Sequence, residues 1–209
     1  MKFKNILFLT ICIILSSSIL AADKKANTPT YVIGGTGPGG GIIFYVSSDG
    51  KHGLETARND QSNGIQWSNG ILRVTGTKGD GINAGEMNTA IIIATQISDD
   101  QTGNFAAKIA ADYSIQGDGV TRCSTSSATE TCYGDWYLPS RHELNLMYEN
   151  IGPPSILGNV GGFSGIYWSS TEVDGTNTAE SAWAQFFVTG QSFFDTKLYP
   201  NKVRAVRAF

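Results

Sequence analysis

The middle of the chain has apolar residues at helical spacing. Two sets recur every three or four positions, with polar residues between them. They predict helices over 84–99 and 104–113, although three consecutive isoleucines at 91–93 leave a strand open in the first segment. The members are Met87, Ile91, Ala94 and Ile97 in the first set, and Phe105, Ile109 and Tyr113 in the second.

A third helix is predicted over 140–151, where both its start and its end are marked. Ser140 follows Pro139 and precedes Glu143 by three residues, which is the pattern of a capping box. The apolar residues that follow fall on one helical face, and two prolines end the segment. These residues are Leu144, Met147, Tyr148 and Ile151, followed by Pro153 and Pro154.

Strand patterns surround the helical segments. Residues 31–33 and 41–46 predict a hairpin around a glycine-rich turn. Four strand-like segments follow the third helix, with a tight turn at Thr189-Gly190. They are 167–170, 182–188, 191–197 and 203–208. Together these elements predict an α+β domain with an antiparallel sheet, two or three helices, and long loops that use many of the 25 glycines.

The N-terminus has the features of an export signal. Lys2 and Lys4 precede an apolar run over 6–15, and 16–22 is rich in small residues. A membrane span needs about 20 residues, more than this run supplies. We therefore expect no stable membrane span, although a retained anchor is the alternative.

The chain is accordingly divided into a signal peptide at 1–22, a polar lead-in at 23–30 and a single domain at 31–209. Cleavage leaves 13 basic and 18 acidic residues, a net charge of −5. An acidic balance disfavours nucleic-acid binding. The protein is expected to be secreted or held at the cell surface.

Two cysteines remain after cleavage, Cys123 and Cys132. An oxidising compartment favours a disulfide between them, which would contribute about 2–3 kcal/mol by closing a short loop. The alternative is a metal site, to which the chain adds only His52 and His142.

Patterns that would indicate catalysis are weak. The string GTGPGG at 35–40 has the spacing of a dinucleotide-binding turn, but the segment after it predicts a strand where that motif requires a helix. With two histidines in the mature chain, no nucleophile has an evident base beside it. We therefore assign no catalytic residues and expect the protein not to be an enzyme.

Two loops are rich in side-chain oxygen atoms. Glu172, Asp174 and Asn177 form one cluster, and Asp80, Asn83 and Glu86 form another. Such loops can hold calcium, which makes calcium the one cofactor considered, at Glu172, Asp174 and Asn177. The alternative is a pair of solvated polar loops.

Ligand contacts are predicted where basic and aromatic residues border loops. The residues are Arg141, Lys197, Lys202, Trp136 and Tyr199. Tryptophans mostly fill the core, so a core role competes with ligand stacking for each of the four, and Trp183 is expected to be buried. Arg204 and Arg207 fall on opposite faces of one predicted strand, so at least one should point inward and pair with a carboxylate.

An ordered series of aromatic-rich strings runs through the chain. They are GGIIFY (40–45), HGL (52–54), DQSNGIQW (60–67), GDWYLPS (134–140), GGF (161–163), YWSSTE (167–172), AWAQFF (182–187) and VRAVRAF (203–209). From about residue 39 to the end, the chain resembles a family of bacterial secreted domains known from the C-terminal domain of the Legionella collagen-like adhesin.

This resemblance implies a fold similar to C-type lectins and formylglycine-generating enzymes, whose LP(T/S)xxEWE helix is echoed by LPSRHE at 138–143. It also implies a homotrimer that binds sulfated glycosaminoglycans in adhesion. The chain has no collagen repeat, no cysteine after Cys132 and no calcium–sugar motif of animal lectins. We therefore expect a non-catalytic glycan-binding module; the alternatives are a protein-binding module and an enzyme related to formylglycine-generating enzymes.

Overall fold

The computed structural model describes residues 30–98, 100–124, 131–176 and 178–209. The predicted signal peptide and all but the last residue of the lead-in lie outside these ranges. The described part is α+β, with three helices: α1 (Ala84–Gln96), α2 (Ala106–Ala111) and α3 (Arg141–Ile151). Its strands are β1 (Ile42–Val46), β2 (Gly53–Thr56), β3 (Ser62–Ile65), β4 (Ile115–Gln116), β5 (Cys132–Tyr133), β6 (Ile166–Glu172), β7 (Ser181–Phe186), β8 (Gln191–Thr196), β9 (Asn201–Val203) and β10 (Val206–Ala208).

Helix α3 begins with the predicted capping box. The Ser140 hydroxyl accepts from the Glu143 N–H at 3.2 Å, and the Glu143 carboxylate accepts from the Ser140 N–H at 2.7 Å. This reciprocal pair satisfies two helix-end donors that would otherwise be unpaired. The buried face of α3 is the predicted one, with Leu144, Met147 and Ile151 in the core.

Helix α1 is confirmed, but the prediction of its buried face is wrong. Met87 is 66% exposed, whereas Asn88, Thr89 and Gln96 are buried. The Thr89 hydroxyl accepts from the Leu138 N–H at 3.0 Å and donates to the Gly85 carbonyl at 2.7 Å. Asn88 donates to the Gly79 carbonyl at 2.7 Å, and Gln96 accepts from the Asn69 N–H at 2.9 Å. Polar side chains face inward here because they bond backbone groups of neighbouring segments.

Three sheets connect the elements, and their pairing is mostly antiparallel. Their strand orders are β1-β2-β10, β3-β9-β6-β7-β8 and β4-β5. The predicted β7–β8 hairpin is confirmed, with its turn at Thr189-Gly190, but β9 pairs in parallel with β6 instead of extending a simple meander. Residues 31–33 are not a strand, because a turn at 33–34 with Gly34 at φ +82° directs the chain away.

The predicted strand 203–208 is divided between two sheets. β9 belongs to the five-stranded sheet and β10 to the three-stranded sheet, with Arg204 and Ala205 between them. Strict alternation therefore does not hold across this segment, and Arg204 and Arg207 are both buried. Arg204 pairs with Asp60 at 2.7 Å, and Arg207 pairs with Glu55 at 2.6 Å and Asp135 at 2.7 Å.

The glycine-rich turn at 35–40 binds an internal carboxylate. The Gly39 and Gly41 N–H groups donate to the two oxygens of the buried Glu55 at 2.8 and 2.7 Å. A Cβ at Gly37 would lie 2.4 Å from Glu55, so the close approach requires glycine. Strand β1 follows the turn, as predicted, and the turn serves the Glu55–Arg207 pair.

Tryptophans dominate the larger of two apolar clusters. Trp67 and Trp168 are fully buried, and their indole N–H groups donate to the carbonyls of Ser169 at 2.8 Å and Ile65 at 2.9 Å. A buried tryptophan needs such a partner for its polar atom. These two residues are core residues, which agrees with the prediction.

A disulfide joins Cys123 to Cys132, with the two Cα atoms 5.9 Å apart. The predicted bridge is confirmed. It ties Cys123 to the first residue of β5, shortly before the segment that carries Trp136.

Candidate functional site

The five predicted ligand-binding residues do not converge on one surface. Among the described residues, none of the five forms a hydrogen bond, ion pair or ring contact with another. Trp136 is only 3% exposed and packs against Tyr113, with ring centres 5.2 Å apart. The proposed ligand role of Trp136 is therefore not available, because a neighbouring side chain already covers its ring.

Lys197 is fully buried, which corrects its prediction as a surface cation. Its ammonium lies 2.5 Å from the Glu172 carboxylate and donates to the carbonyls of Arg73 at 2.7 Å and Thr178 at 2.8 Å. Burial lowers the pKa of Lys197, and the Glu172 carboxylate opposes that shift. The residue joins three segments of the chain and is not presented to a ligand.

The residues around Glu172 do not fit a calcium ion. The Glu172 oxygens also accept from the N–H groups of Thr75 at 2.9 Å and Gly76 at 2.8 Å. The carboxylate is thus committed to three donors, and the cation beside it is Lys197. Asp174 pairs instead with Lys78. Asn177 lies outside the described residues.

Lys202 and Tyr199 occupy separate positions. The Lys202 ammonium contacts Asp60 at 3.1 Å and the Ser164 hydroxyl at 3.2 Å. The same Asp60 accepts from the Tyr167 hydroxyl at 3.2 Å, and burial, reinforced by this carboxylate, raises the pKa of Tyr167 to about 12. Tyr199 is 56% exposed in the turn after β8. Lys202 is therefore part of an internal charge network, and Tyr199 is available at the surface.

Arg141 has a different environment from the other predicted cations. Its guanidinium carbon lies 3.7 Å from the centre of the Trp183 ring. Trp183 is half-buried on β7, so the expectation that it enters the core is wrong. Helix α3 packs over the β7–β8 hairpin and places the first residue of the helix on this ring. The contact is a cation–π stack.

The same packing creates a cleft of about 400 Å³ between α3 and β8. We call it the α3–β8 cleft and define it by its lining residues, Asp80, Arg141, His142, Asn145 and Ser192. Arg141 and Asn145 are four residues apart and share a helix face. On the hairpin, Trp183 pairs in register with Phe194, and Gln185 with Ser192. Phe194 is 54% exposed and meets the Trp183 ring edge-on.

Hydrogen bonds hold the cleft in position. Asp80 accepts from the His142 N–H at 2.6 Å, which fixes its carboxylate at the start of α3. Gln185 donates to the Asn145 side chain at 3.0 Å, while its own Oε1 accepts nothing from the described residues. The cleft thus combines one arginine, one carboxylate, an imidazole, an amide and a hydroxyl, and the exposed Phe194 lies two residues along β8 from Ser192.

The two histidines do not form a nucleophile–base pair with their described neighbours. His52 faces Asp49 at 2.7 Å in an exposed turn, and the Ser47 hydroxyl donates to the same carboxylate at 2.5 Å. Hydrogen bonds from Ser47, from the Lys51 backbone and from His52 lower the pKa of Asp49. The His142 imidazole is exposed, and only its backbone N–H contacts Asp80. These contacts are those of turn and helix-start structure.

Sequence reasoning identified Arg141 but missed the residues around it. The sequence analysis places Asp80 only in an oxygen-rich loop, and its predicted ligand contacts do not include Asn145 or Ser192. The i, i+4 spacing of Arg141 and Asn145 was a usable signal. The partner strand was not predictable in the same way, because it comes from a hairpin some 40 residues further along the chain.

Searches with the sequence against protein-family models and against curated proteins found no match. In the described ranges, no helix is long and apolar enough to cross a membrane. Nor do three or more His, Cys, Asp or Glu side chains meet there in a group that suits a metal ion.

Proposed function

We propose that this chain is a secreted, non-catalytic carbohydrate-binding domain and that the α3–β8 cleft is its binding site. The observation that carries the proposal is the composition of the cleft. Carboxylate, amide and hydroxyl groups from Asp80, Asn145 and Ser192 line one open depression. Phe194 is two residues along β8 from Ser192, on the same face of the strand, and its ring is exposed. Sugar hydroxyls pair with planar polar side chains, and the apolar face of a sugar ring packs on aromatic groups.

The proposal includes export and family membership. The N-terminal sequence pattern and the Cys123–Cys132 bridge support an oxidising, extracellular location. The ordered strings at 39–209 support membership in the secreted-domain family of the collagen-like adhesin, with its lectin-like fold. We extend the proposal to a homotrimer, since several weak sites gain apparent affinity when joined. The mass of the purified protein in solution tests the trimer.

A glycan array with the purified domain tests the function, followed by titration of the best ligand by NMR on isotope-labelled protein. Bound sugar should shift the amide signals of Arg141, Asn145 and Ser192. Asn145→Ala should weaken binding, whereas Asn63→Ala, an exposed asparagine on β3, is the matched control. Absence of binding at millimolar ligand to every glycan would reject the proposal. Binding that shifts only signals outside the cleft would reject the site.

A second candidate function is protein binding, which an exposed apolar groove favours. The groove measures about 390 Å³, and its apolar residues include Ile33, Leu157 and the fully exposed Ile156. Exposed apolar patches of this kind occur at protein interfaces. Capture of an extracellular protein that survives glycosidase treatment and is lost in Ile156→Asp would favour this function over the first.

A further inference from the structure

Arg141 lines the α3–β8 cleft, and no carboxylate of the described residues pairs with its guanidinium. No described side chain or carbonyl accepts a hydrogen bond from it, and its guanidinium carbon lies 3.7 Å from the centre of the Trp183 ring. The buried cations Lys197, Arg204 and Arg207 each have a carboxylate within 2.7 Å. Arg141 therefore retains all five N–H donors for a partner outside the described chain.

The stack determines how these donors are presented. A guanidinium carbon 3.7 Å from the ring centre lies against the face of the ring, and the five N–H donors point outward in the plane of the guanidinium. The backbone is also fixed, since the Arg141 N–H donates to the Thr171 hydroxyl at 3.0 Å. Two parallel N–H groups on one guanidinium edge match the two oxygens of a carboxylate.

The negative charges around Arg141 favour a ligand that carries few anionic groups. Asp80 lines the same cleft, and its bond to the His142 N–H keeps it in place. His142, the other ionisable residue of the cleft, is exposed. A chain with a net charge of −5 after signal cleavage repels a densely charged polymer. Asp80, Asn145 and Ser192 are suited to hydroxyl groups.

We infer that the α3–β8 cleft selects a sugar residue that carries one carboxylate, such as a hexuronic acid, and that Arg141 binds this carboxylate through its guanidinium edge. This inference rests on the carbohydrate-binding function proposed above. It adds the ligand class and the residue that discriminates it. Asp80, Asn145 and Ser192 bind the ring hydroxyls.

The experiment compares three ligands of equal length: a neutral oligosaccharide with one galacturonate residue, the same oligosaccharide after reduction of that carboxyl group, and the neutral oligosaccharide with a sulfate on every residue. Affinities are measured by calorimetry on the full mature protein. The wild type should bind the uronate about tenfold more tightly than the reduced form, since a hydrogen-bonded charge pair contributes at least 1.4 kcal/mol, one decade in affinity. The sulfated ligand should also bind more weakly than the uronate.

Two variants make the test specific. Arg141→Lys should lose most of the selectivity, because it keeps the charge without the planar fork, and Arg141→Ala should lose all of it. Arg122→Ala is the matched control, since Arg122 is an exposed arginine 5.4 Å from the centre of the Tyr113 ring. It should bind like the wild type. Thermal unfolding establishes that each variant is folded.

The outcomes separate the two proposals. Equal affinity for the uronate and its reduced form, or unchanged selectivity in Arg141→Ala, would overturn carboxylate selection while leaving carbohydrate binding in place. A preference for the sulfated ligand, with steep salt dependence, would overturn it in favour of a polyanion site. No binding of any oligosaccharide would reject the proposed function itself.

Discussion

Arg141 and Lys197 are both cations that lie over an indole ring, and their surroundings differ. The Lys197 ammonium is 4.6 Å from the centre of the Trp67 ring, inside the core, and it also contacts Glu172. Arg141 is 3.7 Å from the centre of Trp183, at the edge of a cleft, and forms no ion pair with a carboxylate of the described residues. The sequence predicts the same role for both residues, namely a basic group that contacts a ligand.

The difference shows what a buried cation requires. Removing a charge from water is costly unless a counter-charge and hydrogen bonds replace the water. Lys197 has a carboxylate and two carbonyl acceptors, so its role is structural. Arg141 remains partly exposed and forms no ion pair with the described residues, which is the environment expected of the ligand-binding cation proposed above. Variants that remove a buried ion pair, a disulfide, a partly exposed ion pair and the Arg141 stack should therefore lose stability in that order.

Lys197→Met should destabilise the protein by about 3–5 kcal/mol, because it leaves the buried Glu172 carboxylate without its cation. Urea unfolding measures the change. The double variant Lys197→Met/Glu172→Gln should be less destabilised than the single one. Lys108→Met, which removes a partly exposed pair with Asp112, should cost only about 0.5 kcal/mol. A loss below about 1 kcal/mol in Lys197→Met would contradict the structural role.

Replacing both Cys123 and Cys132 by serine should cost about 2–3 kcal/mol, because the unfolded chain regains the entropy of an open loop. Reduced wild-type protein should unfold at the same urea concentration as the double variant. If the oxidised wild type and the variant are equally stable, the bridge has no stabilising role.

Asp135→Asn should reduce the loss of stability at acid pH. Its hydrogen bond to Arg207 holds the pKa of Asp135 below its ordinary value of 3.8. On acidification, the unfolded chain therefore protonates Asp135 at a higher pH than the folded protein does. The stabilisation that ionised Asp135 provides is present above pH 3.8 and is lost as the pH falls through the pKa of the folded state.

The effect is about 1 kcal/mol, since the Asp135 side chain is exposed and its interaction is screened. Melting temperatures over a pH series measure it, with Asp174→Asn, an exposed aspartate paired with Lys78, as the control. A melting temperature that rises on acidification through this window would contradict the assigned direction.

Arg141→Ala should change the free energy of unfolding least, by about 0.5–1 kcal/mol, the value of a partly exposed cation–π contact. Urea unfolding measures it beside Lys197→Met. Similar losses in the two variants would remove the distinction between a structural and a ligand-binding cation. A small loss of stability in Arg141→Ala, together with lost selectivity for the carboxylated sugar, would support the distinction.

Local features of the fold were predictable to the extent that neighbouring residues decide them. The capping box at Ser140 and Glu143, the Thr189-Gly190 turn and the pairing of Cys123 with Cys132 all depend on short separations. The buried face of α1 was not predictable, because Thr89 faces the core, where its hydroxyl accepts from the N–H of Leu138, 49 residues away. The split of 203–208 likewise depends on two sheets built from distant strands.

The candidate site was predictable only in its first residue. Arg141 was identified from its charge and its place at a helix start, whereas Lys197 had equal standing from the sequence and proved to be a core residue. Nothing in the local pattern distinguishes the two, because the distinction depends on whether a carboxylate from another segment reaches the cation.

The sequence by itself determined the α+β class, the start of α3, the disulfide and the acidic balance of the chain, since these follow from short-range periodicity, capping and composition. Only the tertiary structure decided which cations are neutralised and which remains open. Glu172 reaches Lys197 across 25 residues, and Asp80 reaches the start of α3 across 62. Burial and charge pairing are properties of contacts between distant segments, and they separate a structural ion pair from a binding cleft.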